Sequence, residues 1–160
     1  NGFSLVRRLI EDQGQDYAAA APFAPDVTLA EALLRPTKIY VPSCLAAIRA
    51  GLIKGLSHIT GGGLIENPPR IMPEGTVARI NGASWPMPPL FKWLAQLGQI
   101  EPLEMARTFN CGIGMIAIVA ADDVAAATAL FQEAGETVWP IGVIAAADGP
   151  ARVEIGGLEF

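Results

Sequence analysis

A run of three glycines separates the chain's histidine from a short set of polar side chains. Gly61–Gly63 follow His58 and Thr60, and Asn67 and Arg70 come soon after the last glycine. Glycine lacks a Cβ and reaches positive φ, so consecutive glycines let several backbone N–H groups approach one anion. A guanidinium can meet a phosphate through two hydrogen bonds, and an asparagine side chain both donates and accepts. The pattern predicts an anion-binding loop formed by Thr60, Gly61, Gly62, Gly63, Asn67 and Arg70, with a ligand-free surface turn as the alternative.

A second stretch punctuated by glycines, T-F-N-C-G-I-G-M, covers residues 108–115. Asn110 suits a site that positions and polarises a substrate, whereas Cys111 has no base near it in sequence and is expected to be a packing residue. The chain contains one histidine, so His58 is the one imidazole able to polarise a substrate or act as a base. Capping of the glycine loop is its alternative role. Two distant cysteines and one histidine exclude a structural zinc site, and no metal ligands are predicted.

The beginning of the chain offers a third group of polar residues. Residues 4–13 place leucine, valine and isoleucine on one face and charged side chains on the other, which predicts an amphipathic helix. Asn1 and Ser4 are expected N-caps, and with Gly2 they would bring the free N–H groups of the first turn to an anion. Plain capping without a ligand is the alternative.

Composition limits what these groups can serve. The 160 residues are 51% hydrophobic and carry a net charge of -5, which fits one globular domain or one lobe of a larger protein. An acidic chain lacks the cations that a nucleic-acid surface needs, and the longest apolar runs are too short to span a bilayer. A cytoplasmic location is expected, since no secretory leader is visible. The chain opens without methionine and is expected to be part of a longer protein.

Periodicity then gives the elements that must position these residues. Helices are predicted over 4–13, 28–35, 42–50, 90–97, 102–105 and 122–134, with a loop over 18–25. Strands are predicted over 38–41, 56–60, 76–80, 116–121, 137–146 and 151–155, with a hairpin turn at 148–150. This order indicates an α/β domain of the α+β type, in which helices pack on a mixed sheet of about six strands.

Five ordered motifs resemble one enzyme family, the phosphoribosylformylglycinamidine cyclo-ligases, also called aminoimidazole ribonucleotide synthetases. The motifs are N-G-F-S-L-V-R at 1–7, H-I-T-G-G-G-L at 58–64, N-P-P-R-I-M-P at 67–73, E-M-A-R-T-F-N-C-G-I-G-M at 104–115 and W-P-I-G-V-I at 139–144. The resemblance covers nearly the whole chain and matches the family's C-terminal domain. It implies that residues 1–160 are the C-terminal domain of a two-domain enzyme whose N-terminal, ATP-binding domain is absent from this sequence.

The resemblance also implies a reaction and its partners. ATP would activate the formyl oxygen of formylglycinamidine ribonucleotide, and an amidine nitrogen would displace phosphate to close the imidazole ring during purine biosynthesis. ATP and Mg²⁺ would be bound mainly by the N-terminal domain, and the full-length enzyme would be a homodimer. His58 and Asn110 are then the predicted catalytic residues.

Two alternatives remain open from the sequence. The same architecture occurs in formylglycinamidine ribonucleotide synthase, selenophosphate synthetase, thiamine monophosphate kinase and a hydrogenase maturation protein. A non-catalytic binding module of the same fold is the alternative from a different class.

Overall fold

The computed structural model describes residues 2–160, which form seven α-helices and seven strands. The helices are α1 (Phe3–Asp12), α2 (Leu29–Leu33), α3 (Val41–Arg49), α4 (Gly63–Glu66), α5 (Pro89–Gly98), α6 (Pro102–Thr108) and α7 (Val124–Glu133). The strands are β1 (Ala20–Ala21), β2 (Ala24–Thr28), β3 (Ile53–His58), β4 (Thr76–Asn81), β5 (Met115–Val119), β6 (Gly142–Ala146) and β7 (Arg152–Gly156). Asn1 lies outside the described residues, and so does its predicted role.

The strands are divided among three small sheets, although the predicted mixed α/β fold class is confirmed. β1 pairs with β2, β3 pairs antiparallel with β5, and β4 lies between β6 and β7. The β4 strand is antiparallel to β6 and parallel to β7. A cavity of about 680 Å³ lies along β5 and β6 and is lined by both strands. The prediction of a single sheet of about six strands is therefore wrong: the strands form three sheets, and this space lies between β5 and β6.

The predicted hairpin at 148–150 is also wrong. β6 and β7 pair with opposite edges of β4, so the segment between them passes around the end of β4. Gly75, just before β4, holds this segment by donating its N–H to the carbonyl of Gly149 at 2.8 Å and accepting the N–H of Ala147 at 2.8 Å. A turn signal fixes where the chain reverses but not whether the two strands become neighbours.

Two further local predictions need correction. Residues 38–40 are irregular rather than a strand, and α3 already begins at Val41. Ile39 is 76% exposed, so its side chain has no sheet to pack against. Conversely, the expected loop over 18–25 contains β1 and the start of β2. The capping box that starts α2 is confirmed, since Thr28 and Glu31 bond each other's backbone N–H groups.

The core lies where α1, α4, α5 and α6 pack against the strands. Its fully buried side chains include Ile10, Leu64, Leu94 and Met105. A smaller apolar cluster joins α3 to α7 through Cys44 and Phe131, which confirms Cys44 as a buried packing residue. Leu64 directly follows the glycine loop, so burial of this side chain fixes the loop to the core.

No helix among residues 2–160 has both the length and the apolar composition needed to cross a membrane.

Candidate functional site

A cavity of about 310 Å³ lies at the C-terminal end of β3 and is lined by residues from five parts of the chain. Its floor is apolar and includes Val6 of α1, Leu94 of α5 and Phe109. The polar side chains on its wall are Arg35, Thr37, Lys38, Tyr40, His58, Thr60 and Asn110. A cavity of this volume falls at the small end of the range for ligand sites, and its apolar floor with few polar groups is typical of such sites.

His58 reaches this wall because β3 pairs with β5. The strand runs from Ile53 to His58, where His58 lies opposite Met115, and the next residue donates its N–H to the carbonyl of Gly114 at 2.9 Å. Ile59 is buried whereas His58 is exposed. Anchoring of Ile59 in the core thus presents the imidazole at the end of a fixed strand.

The glycine loop follows at once, and two of its residues require glycine. Gly62 has a φ of 95° and Gly63 a φ of 55°, both in the left-handed region. A Cβ on Gly63 would lie 2.1 Å from the carbonyl oxygen of Ala106 and 2.6 Å from that of Phe109. The loop is therefore pressed against the end of α6, which brings the two glycine-punctuated motifs together.

Asn67 holds this loop from inside. Its side chain is buried, and Nδ2 donates to the carbonyl of Gly63 at 2.8 Å. The same nitrogen lies 3.3 Å from the carbonyl oxygen of Gly61 and 3.4 Å from that of Thr60. The Asn67 carboxamide therefore stabilises the shape of the loop from inside by binding its backbone carbonyls. Its direct contact with a phosphate stays a prediction.

Arg70 and Glu66 lie together beside Gly62. A Cβ on Gly62 would be 3.5 Å from Arg70 Nη2 and 2.8 Å from Glu66 Oε2. An anion at the loop would be attracted by the guanidinium and repelled by the carboxylate. Both side chains are exposed, so solvent screens both effects, and the roles of Gly61, Gly62, Gly63 and Arg70 in binding stay predictions.

Asn110 stands at a tight turn on the opposite wall of the cavity. Its Oδ1 accepts the N–H of Gly112 at 3.0 Å, and the intervening Cys111 has a φ of 50°. The indole of Trp85 donates to the carbonyl of Cys111 at 2.8 Å and fixes this left-handed backbone. With its oxygen engaged in the turn, Asn110 offers the cavity its NH₂ group, which can donate to a carbonyl or phosphate oxygen.

The start of α1 closes one side of the cavity. Gly2 has a φ of 75°, and a Cβ there would lie 2.3 Å from the ring of Phe109. This contact places Phe3 on the cavity wall. Ser4 is exposed and lies inside α1, so its prediction as an N-cap is wrong: the cap is Gly2, which has no side chain to accept a hydrogen bond from the first turn. The binding roles of Gly2, Ser4 and Thr60 stay predictions.

Sequence reasoning missed the polar residues that positions 35–40 contribute to the cavity wall, among them Lys38 and Tyr40. Lys38 Nζ lies 2.5 Å from Glu136 Oε2, and the Ser43 hydroxyl donates to Glu136 Oε1 at 2.9 Å. The local pattern at Lys38 predicts a strand, and its partner Glu136 lies 98 residues away. No local pattern links positions so far apart, so the sequence held no signal for this group.

The buried cysteines are poor nucleophiles. Burial raises the pKa of the Cys111 thiol to about 12. Burial, followed by the nearby Glu136 carboxylate, also raises the pKa of Cys44. A raised thiol pKa keeps both cysteines protonated and unreactive, which agrees with their prediction as packing residues.

Together, the fold and the cavity define a mixed α/β lobe that presents polar groups at strand ends. The chain belongs to the family described as AIR synthase related protein, C-terminal domain, which matches residues 1–154.

Among its relatives are proteins named phosphoribosylformylglycinamidine cyclo-ligase from three Neisseria meningitidis strains, of serogroups A, B and C. Each is 51% identical over 144 residues, which are 90% of this chain and 41% of the relative. The family resemblance seen in the five motifs is thereby confirmed. The chain spans about two fifths of the length of these relatives, 41% by alignment.

The contact of Gly63 with α6 predicts a large loss of stability on adding one methyl group. An alanine in the left-handed region costs about 1–2 kcal/mol of folding free energy. Gly63→Ala should cost more than this, because its Cβ would also clash with the Ala106 carbonyl. Gly135→Ala is the matched control, since Gly135 has a φ of 84° and nothing within 4 Å of a Cβ. Denaturant unfolding measures both variants, and equal losses would contradict the close contact.

The raised pKa values predict inert thiols in the folded chain. Maleimide labelling of Cys111 and Cys44 at pH 8 should be slow in native protein and fast in guanidinium chloride. Since the folded state favours protonated Cys111, this contribution to stability is complete below the thiol's ordinary pKa of about 9 and is lost as the pH rises through the folded-state pKa of about 12. Rapid native labelling of Cys111, followed by mass spectrometry, would contradict the assignment.

Proposed function

We propose that this chain is the C-terminal lobe of an ATP-dependent cyclo-ligase that converts formylglycinamidine ribonucleotide to aminoimidazole ribonucleotide in purine biosynthesis. The main observation is that His58 and Thr60 line one cavity together with Asn110, which is distant from them in sequence. The chain's similarity to proteins named for this reaction supports the proposal. It also favours this reaction over those of the related ATP-using enzymes and over a non-catalytic module.

The reaction demands positioning and charge stabilisation rather than a covalent protein nucleophile. The formyl oxygen takes the γ-phosphoryl group of ATP and leaves as phosphate when the amidine nitrogen attacks the formyl carbon, so that ADP and phosphate are released. In this site the Asn110 NH₂ group would donate to the formyl or phosphoryl oxygen. His58 would polarise the same centre or accept the proton that the attacking nitrogen loses.

The glycine loop is proposed to bind the ribose phosphate. Gly62 and Gly63 have the positive φ that such a loop needs, and Arg70 provides a guanidinium beside Gly62. Glu66 at the same place would oppose a dianion, so the guanidinium contact carries most of the selectivity for phosphate in this proposal.

ATP and Mg²⁺ are proposed to be bound mainly by an N-terminal domain. Within residues 2–160, no group of three or more histidine, cysteine, aspartate or glutamate side chains is close enough to hold a metal ion. These residues therefore provide no all-protein cage for Mg²⁺, which proteins usually hold through one or two carboxylates together with substrate phosphates. The exposed apolar side chains Val143 and Ile144, which are 64% and 41% exposed on β6, are proposed to pack against that domain. The complete enzyme is proposed to be a cytoplasmic homodimer.

Reconstitution tests this proposal. The chain alone should melt cooperatively without releasing ADP from ATP and formylglycinamidine ribonucleotide. Mixing it with the separately expressed N-terminal domain of a family member should give a heterocomplex in size-exclusion chromatography and restore cyclisation. Cyclisation by the chain alone, or two separate peaks at high concentration, would contradict the division of roles.

The phosphate assignment predicts the effect of a conservative substitution. Arg70→Lys should weaken substrate binding by on the order of 1–3 kcal/mol, because a lysine cannot form the bidentate contact. Calorimetric titration of the reconstituted enzyme measures this loss, and thermal melts monitor the fold. Arg8→Lys on α1 is the control, since Arg8 forms an exposed pair with Asp12 at 3.5 Å.

If Arg70→Lys leaves the substrate dissociation constant unchanged, the loop is only a structural turn and the phosphate assignment is wrong. Gly62→Val is a poorer test. Its φ of 95° strains any residue with a side chain, so lost binding would be mixed with lost stability.

A further inference from the structure

Tyr40 separates the two cavities and lines both of them. Its ring meets the His58 imidazole edge to face, with centroids 6.0 Å apart and planes at 67°. Edge-to-face aromatic pairs at this separation attract each other. Tyr40 thus covers one side of an imidazole that is otherwise exposed.

The position of the Tyr40 ring is fixed against Gly114. A Cβ on Gly114 would lie 1.9 Å from the Tyr40 hydroxyl oxygen, 2.8 Å from Cζ and 3.2 Å from Cε2. The backbone of Gly114 is not in the left-handed region, so an alanine would fit it in the absence of this ring. The same glycine accepts the N–H of Ile59, the neighbour of His58, at 2.9 Å. The ring therefore packs on the strand pair that presents the imidazole.

The other side of Tyr40 is anchored through Glu136. The Ser43 hydroxyl lies 3.0 Å from the Tyr40 carbonyl oxygen and 2.9 Å from Glu136 Oε1. Lys38, two residues before Tyr40, is held by the same carboxylate at 2.5 Å. Burial and then the Glu136 charge raise the pKa of the Tyr40 phenol, so its hydroxyl is neutral throughout the physiological range. Tyr40 is thus held by its backbone on one side and by Gly114 on the other.

We propose that Tyr40 is a positioning residue, which fixes the orientation of the His58 imidazole toward the cavity. An exposed histidine at a strand end samples several rotamers, and a ring packed on one side removes some of them. Displacement of a reacting group by about 1 Å can lower a rate by on the order of 10²-fold. The catalytic consequence rests on the proposed function, whereas the packing of the two rings does not.

The single histidine of the chain makes the packing directly measurable. Protein labelled with ¹³C,¹⁵N-histidine should show one set of imidazole signals, with nuclear Overhauser contacts to the Tyr40 ring protons. Tyr40→Phe keeps the ring and should preserve the His58 shifts. Tyr40→Leu should move these shifts toward those of free histidine. Unchanged imidazole shifts in a folded Tyr40→Leu protein would overturn the proposal.

Gly114→Ala tests the same contact from the other side. Its Cβ should push the Tyr40 ring away and reproduce the shifted imidazole signals of Tyr40→Leu. In the double variant Gly114→Ala/Tyr40→Leu the clash is gone, so the alanine should add little further change. An imidazole spectrum that Gly114→Ala leaves unaltered would contradict the role of Gly114 as the backing of Tyr40.

Kinetics of the reconstituted enzyme separate this inference from the proposed reaction. Tyr40→Leu should lower kcat about 10-fold or more with little change in KM, while Tyr40→Phe retains most of kcat. If the wild-type complex does not cyclise the substrate, the proposed function fails but the spectroscopic result still decides the packing. An active complex in which Tyr40→Leu has the wild-type kcat would overturn the positioning role.

Discussion

Pairing of β3 with β5 is the interaction on which the site depends. The two strands run antiparallel, with His58 opposite Met115. Each strand adjoins one glycine-punctuated motif, so the pairing brings both motifs to the same edge. Gly63 then packs directly on the carbonyls at the end of α6, which leaves no space for a side chain. The cavity is the space that remains between these two motifs and the start of α1.

The polar residues around this edge divide into two kinds. Asn67 and the oxygen of Asn110 are engaged in holding backbone, the first inside the glycine loop and the second across Cys111. His58, the Asn110 NH₂ group and the Arg70 guanidinium are directed to solvent or to the cavity. This division has a simple physical origin. A buried polar group must satisfy its hydrogen bonds within the protein, whereas an exposed group keeps its capacity for a ligand.

One face of the domain is apolar and exposed. The β5 and β6 edges line a large, mostly apolar cavity, and Val143 is 64% exposed next to it. Such a surface is costly to leave in water, and the proposed N-terminal domain would cover it. In the proposed enzyme, the ribonucleotide would be held by this lobe and the nucleotide by the other, with the reacting atoms between them.

Elements whose signals are local could be predicted from the amino-acid sequence alone. Helices such as α7 follow from apolar spacing and the stop at Gly135, and the capping box at Thr28 was visible as a short motif. The need for glycine at Gly62 and Gly63 and the family were also readable from the chain. Tertiary structure decided which strands became neighbours and which polar groups met. Strand pairing and the Lys38–Glu136 contact, which spans 98 residues, depend on packing that no local pattern encodes. For the same reason Tyr40 appeared as part of a strand, although in the folded chain it lies against His58.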